Sequence, residues 1–158
     1  MATTRFALTP ESAHFPAANF GVLSQINQRP VLLFDAATDE AVYWTFVAPQ
    51  GLTGALSIKI HYICANATTG TAAWEAQLEA VTDADATDLD AGTSFGTVNA
   101  GTGTVPATNG YIDVISITLT NNDSIAAGDY VRLSVNRDIS VDSVANDLAL
   151  LLVELQEA

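Results

Sequence analysis

The two histidines are the residues best suited to general base catalysis, and they occur in different kinds of segment. His14 lies in a proline-containing N-terminal stretch, whereas His61 lies in an alternating, strand-like pattern. Nucleophilic catalysis requires a base beside the nucleophile and a third group that orients the base. The acidic residues, a possible glycosidase pair, occur mostly in loops rich in small residues, where we expect solvated carboxylates. We therefore predict that this chain is not an enzyme and uses no cofactor.

An acidic run in the middle of the chain is the best candidate for a metal site. Asp83, Asp85, Asp88 and Asp90 follow the pattern D-x-D-x-x-D-x-D, and clustered carboxylate oxygens are the ligands that Ca²⁺ prefers. The spacing differs from the EF-hand pattern, however, and no glutamate closes the loop. We predict a solvated acidic loop with no bound metal, and a Ca²⁺ site remains the weaker alternative.

Charge and composition exclude several classes of partner. The 18 acidic residues outnumber the 5 basic ones, and the net charge of −13 repels phosphate backbones and anionic membrane surfaces. Charged residues make up only 15% of the chain while hydrophobic ones reach 49%, which is a low charged fraction for a small monomer. We infer that other protein covers part of the surface.

Alternating apolar and polar residues predict an all-β protein. In residues 55–64, which read ALSIKIHYIC, every second side chain from Leu56 to the single cysteine, Cys64, is of a type that is usually buried. The leucine-rich 146–155 segment lacks helix caps and is predicted to be a central strand covered on both faces. The predicted strands are 31–35, 41–48, 55–64, 72–82, 94–98, 111–120, 130–137 and 146–155. About eight strands separated by turn signals predict a jelly-roll-like antiparallel β-sandwich over residues 31–158.

Residues 1–30 are predicted to form an extended arm. Three prolines exclude a continuous helix or a central strand, and aromatic residues are spread between them. These aromatic residues are Phe6, Phe15 and Phe20. The arm either docks along another surface or packs on its own sandwich, and the sequence leaves both open. Trp44 and Trp74 are expected in a core or a subunit interface, with a sugar-stacking platform as the alternative.

Several stretches of the chain resemble short structural proteins encoded beside virion genes of tailed phages. The resemblance rests on residues 34–46 (FDAATDEAVYWTF), 15–20 (FPAANF), 74–76 (WEA), 126–133 (AAGDYVRL) and 137–138 (RD). It implies a β-sandwich virion component, commonly a homotrimer, such as a capsid decoration (cement) protein or a fibre domain. It transfers no catalytic residue.

The first hypothesis is therefore a homotrimeric decoration protein that binds the major capsid protein on the outer surface of the shell. The arm phenylalanines would contact the capsid. The residues expected at the subunit interface are Tyr43, Trp44, Phe46, Leu150 and Leu152. The alternative is a receptor- or carbohydrate-binding fibre domain, with exposed aromatic residues in a groove formed by loops 65–71 and 83–110.

Overall fold

Ten strands form two antiparallel sheets in the computed structural model, which describes residues 3–158. Their bounds are β1 (Thr3–Leu8), β2 (Val22–Ile26), β3 (Arg29–Phe34), β4 (Glu40–Val47), β5 (Leu56–Cys64), β6 (Thr71–Val81), β7 (Asn99–Thr104), β8 (Ile112–Thr118), β9 (Tyr130–Arg137) and β10 (Leu148–Glu157). One short 3₁₀ turn, Pro10–Ser12, follows β1. No helix within residues 3–158 has the length and hydropathy needed to cross a bilayer.

The strand order confirms the predicted jelly-roll-like sandwich. Sheet A has the order β2-β3-β10-β5-β8, with β1 also paired to β10, and sheet B has the order β4-β9-β6-β7. From β3 onward the first four strands pair in reverse order with the last four: β3 with β10, β4 with β9, β5 with β8 and β6 with β7. A long hairpin of eight strands that folds into two sheets is the jelly-roll topology.

The core lies between the sheets and is formed by the inward half of each alternating strand. In β5 the residues Ile58, Ile60 and Tyr62 point inward and are fully buried. Trp44 and Trp74 are 1% and 0% exposed, which confirms a core position and removes them as a sugar-stacking platform. The central position predicted for β10 is confirmed, because this strand lies in the middle of sheet A between β5 and the pair β1 and β3. The predicted coverage of both faces is not, because Leu151 and Leu152 are only partly buried on the outer face.

The segment predicted as an arm is extended, but residues 3–30 pack on their own sandwich. Strand β1 pairs with β10, and β2 pairs with β3. Between these strands, backbone hydrogen bonds join His14 to Tyr43 and Asn19 to Ala41 along the free edge of β4. This segment therefore adds two strands to the eight of the jelly roll.

Two strand predictions need correction. The strand expected near 94–98 begins at Asn99, because Ser94 donates to the Glu79 side chain on the outer face of β6 and Gly96 donates to the backbone carbonyl of Leu78. In residues 111–120 the apolar phase of the sequence changes between Val114 and Ile115, which predicts a β-bulge or burial on both faces, and this prediction is also wrong. Strand β8 pairs with β5 without a register shift, and its second apolar phase, which includes Ile112 and Val114, is exposed to solvent.

Candidate functional site

An apolar row crosses the outer face of sheet A. Because residues paired across antiparallel strands point to the same side of a sheet, the register identifies the members of this row. They are Val22, Leu33, Ala149, Ile63 and Ile112, one from each of the five strands. The inward neighbours of these residues fill the core, so the row points away from it. Five adjacent apolar side chains on an outer face are an unusual feature in a chain with a net charge of −13.

A groove of about 740 Å³ lies at one end of this row, and we call it the sheet A groove. One wall is the β2–β3 hairpin, with Ile26, Asn27 and Arg29. The opposite wall is the segment 109–112, with the side chain of Tyr111, and the floor includes Ile63. The volume and the mostly apolar lining with a few polar groups are typical of small-molecule sites.

A tight turn shapes the first wall of the groove. Asn27 and Gln28 both have positive φ, at 48° and 65°, as the two central residues of a type I′ hairpin turn do. Such a turn follows the twist of the two strands that it joins. Arg29 comes directly after the turn and begins β3. The side chain of Arg29 is exposed, and its Nη1 donates to the carbonyl of Asn27 at 3.2 Å.

A glycine turn positions the aromatic residue of the opposite wall. Gly110 has φ of +73° and donates its N–H to the carbonyl of Cys64 at 2.9 Å, which fixes the chain just before β8. Tyr111 follows directly and is 63% exposed. Among the described residues that line this groove, Tyr111 is the aromatic one. Its exposed ring can pack against a ligand.

A β-bulge supplies the floor of the groove. The pairing of β10 with β5 shifts between Leu150 and Leu152, so Leu151 is an extra residue in β10. Leu150 remains in the core with no exposure, while Leu151 lines the groove. The bulge thus explains how three consecutive leucines serve both faces of one strand.

The outer face of sheet B carries a different arrangement, in which a loop is fixed by a carboxylate. Ser94 donates both its N–H (2.7 Å) and its hydroxyl (2.8 Å) to Glu79, which also pairs with Arg132. Burial raises the pKa of Glu79, but the hydrogen bonds from Arg132 and Ser94 outweigh burial and lower it overall. The ring of Phe95 stacks on Tyr43 with centroids 5.6 Å apart. This loop is therefore held on the sheet.

The same loop contains a Gly-x-Ser-x-Gly spacing at residues 92–96, centred on Ser94. A hydrolase nucleophile with this motif lies on a sharp turn between a strand and a helix. Here the motif lies in a loop between β6 and β7, and the Ser94 hydroxyl donates to an ion-paired carboxylate. The motif therefore serves to attach the loop.

The acidic run 83–90 does not gather its carboxylates around one point. All four aspartates are exposed, and Asp85 and Asp88 accept hydrogen bonds from backbone N–H groups two residues later in their own turns. Within residues 3–158 no group of three His, Cys, Asp or Glu side chains has the arrangement of a metal site. The weaker alternative of a Ca²⁺ site at Asp83, Asp85, Asp88 and Asp90 thus has no geometric support.

The residues predicted for capsid contact fall in two environments. The ring of Phe6 packs edge-on against Phe46 at 4.5 Å and is partly buried against the core. It is therefore occupied within its own sandwich and is not a free anchor. Phe15 and Phe20 are 41% and 37% exposed, and their rings lie 5.6 Å apart as one pair.

The residues predicted at a subunit interface are likewise divided. Trp44 and Leu150 lie in the core, where a second subunit cannot contact them, because the strand faces that carry them point inward. Phe46 is partly buried by Phe6, and Tyr43 is half-covered by the sheet B loop. Leu152 lies on the outer face of sheet A, paired with His61, and is half-buried.

No protein-family model and no curated protein matches this chain. Among solved structures it is similar to a cycloisomaltooligosaccharide glucanotransferase of Paenibacillus sp. (11% identity, TM-score 0.46), with 94% of this chain covering 18% of that one. It is also similar to TmCBM27, a carbohydrate-binding module studied for mannan recognition (11% identity, TM-score 0.46), with 100% and 99% covered. A third is the enzymatically active domain of tailspike protein 4 of Bacteriophage CBA120 (10% identity, TM-score 0.40), with 98% and 18% covered.

Sequence reasoning did not identify Tyr111, Arg29 or Leu151 as site residues. It expected a groove from loops 65–71 and 83–110, and the structure brings Ala65 and Asn109 of those loops to the sheet A groove. The Asn-Gly pair before Tyr111 is a turn signal that marks the residue as the start of a strand. Nothing in the local sequence signals the distant hairpin that faces it.

Proposed function

We propose that this chain is a non-catalytic binding domain of a virion, which holds a carbohydrate in the sheet A groove. The observation that carries the proposal is the exposed ring of Tyr111 beside an apolar floor, faced by the side chains of Asn27 and Arg29. It corresponds to the alternative that the sequence left open, a receptor- or carbohydrate-binding fibre domain.

The chemistry of a sugar matches this lining in two ways. A pyranose ring presents C–H groups on its faces, which pack against an aromatic ring and aliphatic side chains, and hydroxyl groups on its edge. The groove offers Tyr111 and Ile63 to the first, and the amides of Asn27 and Asn109 to the second. A mostly apolar lining with a small number of polar groups provides both area and orientation.

A glycan array followed by calorimetric titration of the best binder tests this function. We expect Tyr111→Ala to weaken binding by roughly 30-fold, the effect of losing about 2 kcal/mol from an aromatic contact. Tyr130→Ala is the matched control, because Tyr130 is also exposed but lies on the outer face of sheet B, paired with Val47. Equal losses in both variants, or no glycan binding by the wild type, would refute the proposal.

A second candidate function, capsid decoration as a homotrimer on the major capsid protein, is favoured by the aromatic pair Phe15 and Phe20. The two rings form one exposed apolar patch beside the edge of β4. Apolar aromatic anchors that a partner can bury are typical of contact sites. Binding of several coat subunits would stabilise the assembled shell.

Point substitutions test decoration better than a truncation. Strand β1 pairs with β10, so removal of residues 1–20 would damage the sandwich itself. The double variant Phe15→Ser with Phe20→Ser is instead mixed with purified capsids, and occupancy is measured by sedimentation. We expect occupancy to fall at least tenfold, whereas Val47→Ser, an exposed apolar residue of β4, retains it. Unchanged occupancy of the double variant excludes this pair as the anchor.

A further inference from the structure

The five basic residues are used very unevenly. Within residues 3–158, three of them form ion pairs with carboxylates: Arg5 with Glu157, Arg132 with Glu79 and Arg137 with Asp142. The other two are Arg29 and Lys59, and neither has a carboxylate oxygen within ion-pairing distance in this part of the chain. The cross-strand pairing places both on the outer face of sheet A.

Arg29 differs from Lys59 in its surroundings. Lys59 stands opposite Glu154 in the pairing of β5 with β10, so a carboxylate is its neighbour. Arg29 lines the sheet A groove, and the described residues around that groove include no acidic side chain. The chain has 18 acidic residues, but among the described residues that line this groove the charged side chain is the positive Arg29, which favours an anionic group at that point.

The guanidinium of Arg29 is available for a ligand. One of its N–H groups is used within residues 3–158, by the Asn27 carbonyl at 3.2 Å. A guanidinium presents its donors in a planar fork that matches a carboxylate with two parallel hydrogen bonds. A nucleic acid offers phosphates, but the net charge of −13 opposes a polyphosphate strand. A single carboxylate on an otherwise neutral ligand meets far less repulsion.

We propose that the sheet A groove takes an acidic oligosaccharide, in which Arg29 binds a sugar carboxylate while Tyr111 packs against a neighbouring ring. This inference rests on the proposed carbohydrate function and adds the class of sugar. Arg29 begins β3 and Tyr111 directly precedes β8, and these two strands are three strand spacings apart, about 14 Å. The ligand is therefore longer than one sugar ring.

Matched pairs of oligosaccharides test the inference by calorimetric titration. Oligogalacturonate, oligoalginate and sialylated oligosaccharides are each compared with the same compound after methyl esterification, which removes the carboxylate charge and adds a methyl group. We expect at least one acid to bind about 10- to 100-fold more tightly than its ester, as for a charge-assisted hydrogen bond. Arg29→Gln should abolish this difference. Lys59→Gln removes the same charge from the same face outside the groove and should preserve it.

The possible failures are distinguishable. If acid and ester bind equally, or if neutral glycans alone bind, the acidic ligand is refuted and the carbohydrate function stands. If Lys59→Gln reduces the difference as much as Arg29→Gln does, a general field effect replaces the specific contact and the inference fails. If no glycan binds and an acidic peptide of glutamates does, both the inference and the carbohydrate function are refuted.

Discussion

Replacement of Arg137 by methionine should destabilise the sandwich more than any other single charge removal. Arg137 ends β9 in sheet B and is fully buried. It pairs with both carboxylate oxygens of Asp142, at 3.1 and 2.8 Å. Its guanidinium also donates to four backbone carbonyls, those of Phe34, Asp35, Val144 and Asn146. It thus joins the end of sheet B to the end of β3 in sheet A and to the loop before β10.

The magnitude follows from what Arg137→Met leaves behind. The carboxylate of Asp142 would be buried without a cationic partner, with only the backbone N–H groups of Ala73 and Val144 donating to it. Breaking a buried ion pair in this way costs about 3–5 kcal/mol. Single domains are stable by about 5–15 kcal/mol, so the loss is a large fraction of the total. At about 2–4 °C per kcal/mol for a domain of this size, the melting temperature should fall by roughly 6–20 °C.

Urea denaturation followed by circular dichroism measures this effect at neutral pH. Arg29→Met, an exposed cation, serves as the control and should change stability by less than about 0.5 kcal/mol. The double variant Arg137→Met with Asp142→Asn should lose less than Arg137→Met alone, because no buried charge then lacks a partner. A loss under about 1 kcal/mol for Arg137→Met, or a double variant that is worse than the sum of the singles, would refute the reasoning.

Two further predictions concern the C-terminus and the sheet interface. Backbone N–H groups hydrogen-bonded to Glu157 lower its pKa to about 2. The loss of stability in Glu157→Gln should therefore be complete at neutral pH and become smaller as the pH falls from about 4.5 toward 2. Urea midpoints of the wild type and the variant measure this loss across that range, and a constant difference between them would contradict the prediction. A Cβ at Gly101 would lie 2.8 Å from the Ile117 side chain, so Gly101→Ala should cost about 1–3 kcal/mol in a urea melt. Equal stability of Gly101→Ala and the exposed control Thr102→Ala would contradict it.

The sequence was sufficient to predict those strands whose own alternation is regular. Residues 55–64, 72–82 and 130–137 each bury one phase against the core, and the corresponding strands begin and end within one residue of the prediction. β10 was predictable for a related reason. Its leucines occupy both alternating positions of the segment, as they do in a central strand that has apolar side chains on both faces of the sheet. The burial of these strands is therefore visible in the alternation of their own sequences.

Pairing with another segment of the chain is not visible in the local sequence pattern in this way. Strands β1 and β2 have weak alternation and lie among prolines, and they are strands because β10 and β3 offer free hydrogen-bonding edges to them. The segment 94–96 shows the reverse: its composition permits a strand, but Glu79 binds its backbone and diverts it. In these cases a partner outside the segment determines its structure: β10 for β1, the neighbouring β3 for β2, and Glu79 for residues 94–96. The intrinsic propensity of a segment does not include that contact.

The candidate site illustrates why prominent aromatic residues mislead. The two tryptophans are the most conspicuous candidates for a ligand platform, yet Trp44 and Trp74 share the inward phase of their strands and fill the core. Tyr111 directly precedes β8 and has no place in its alternation, and the glycine turn before it leaves its ring exposed beside the groove. Part of the excess apolar surface that composition predicts lies on the outer face of sheet A, at Val22 and Ile112, while on the strand 41–48 Val47 is exposed. A partner that covers Ile112 and the sheet A groove would lie beside Arg29, which, like Lys59, has no carboxylate within ion-pairing distance in residues 3–158.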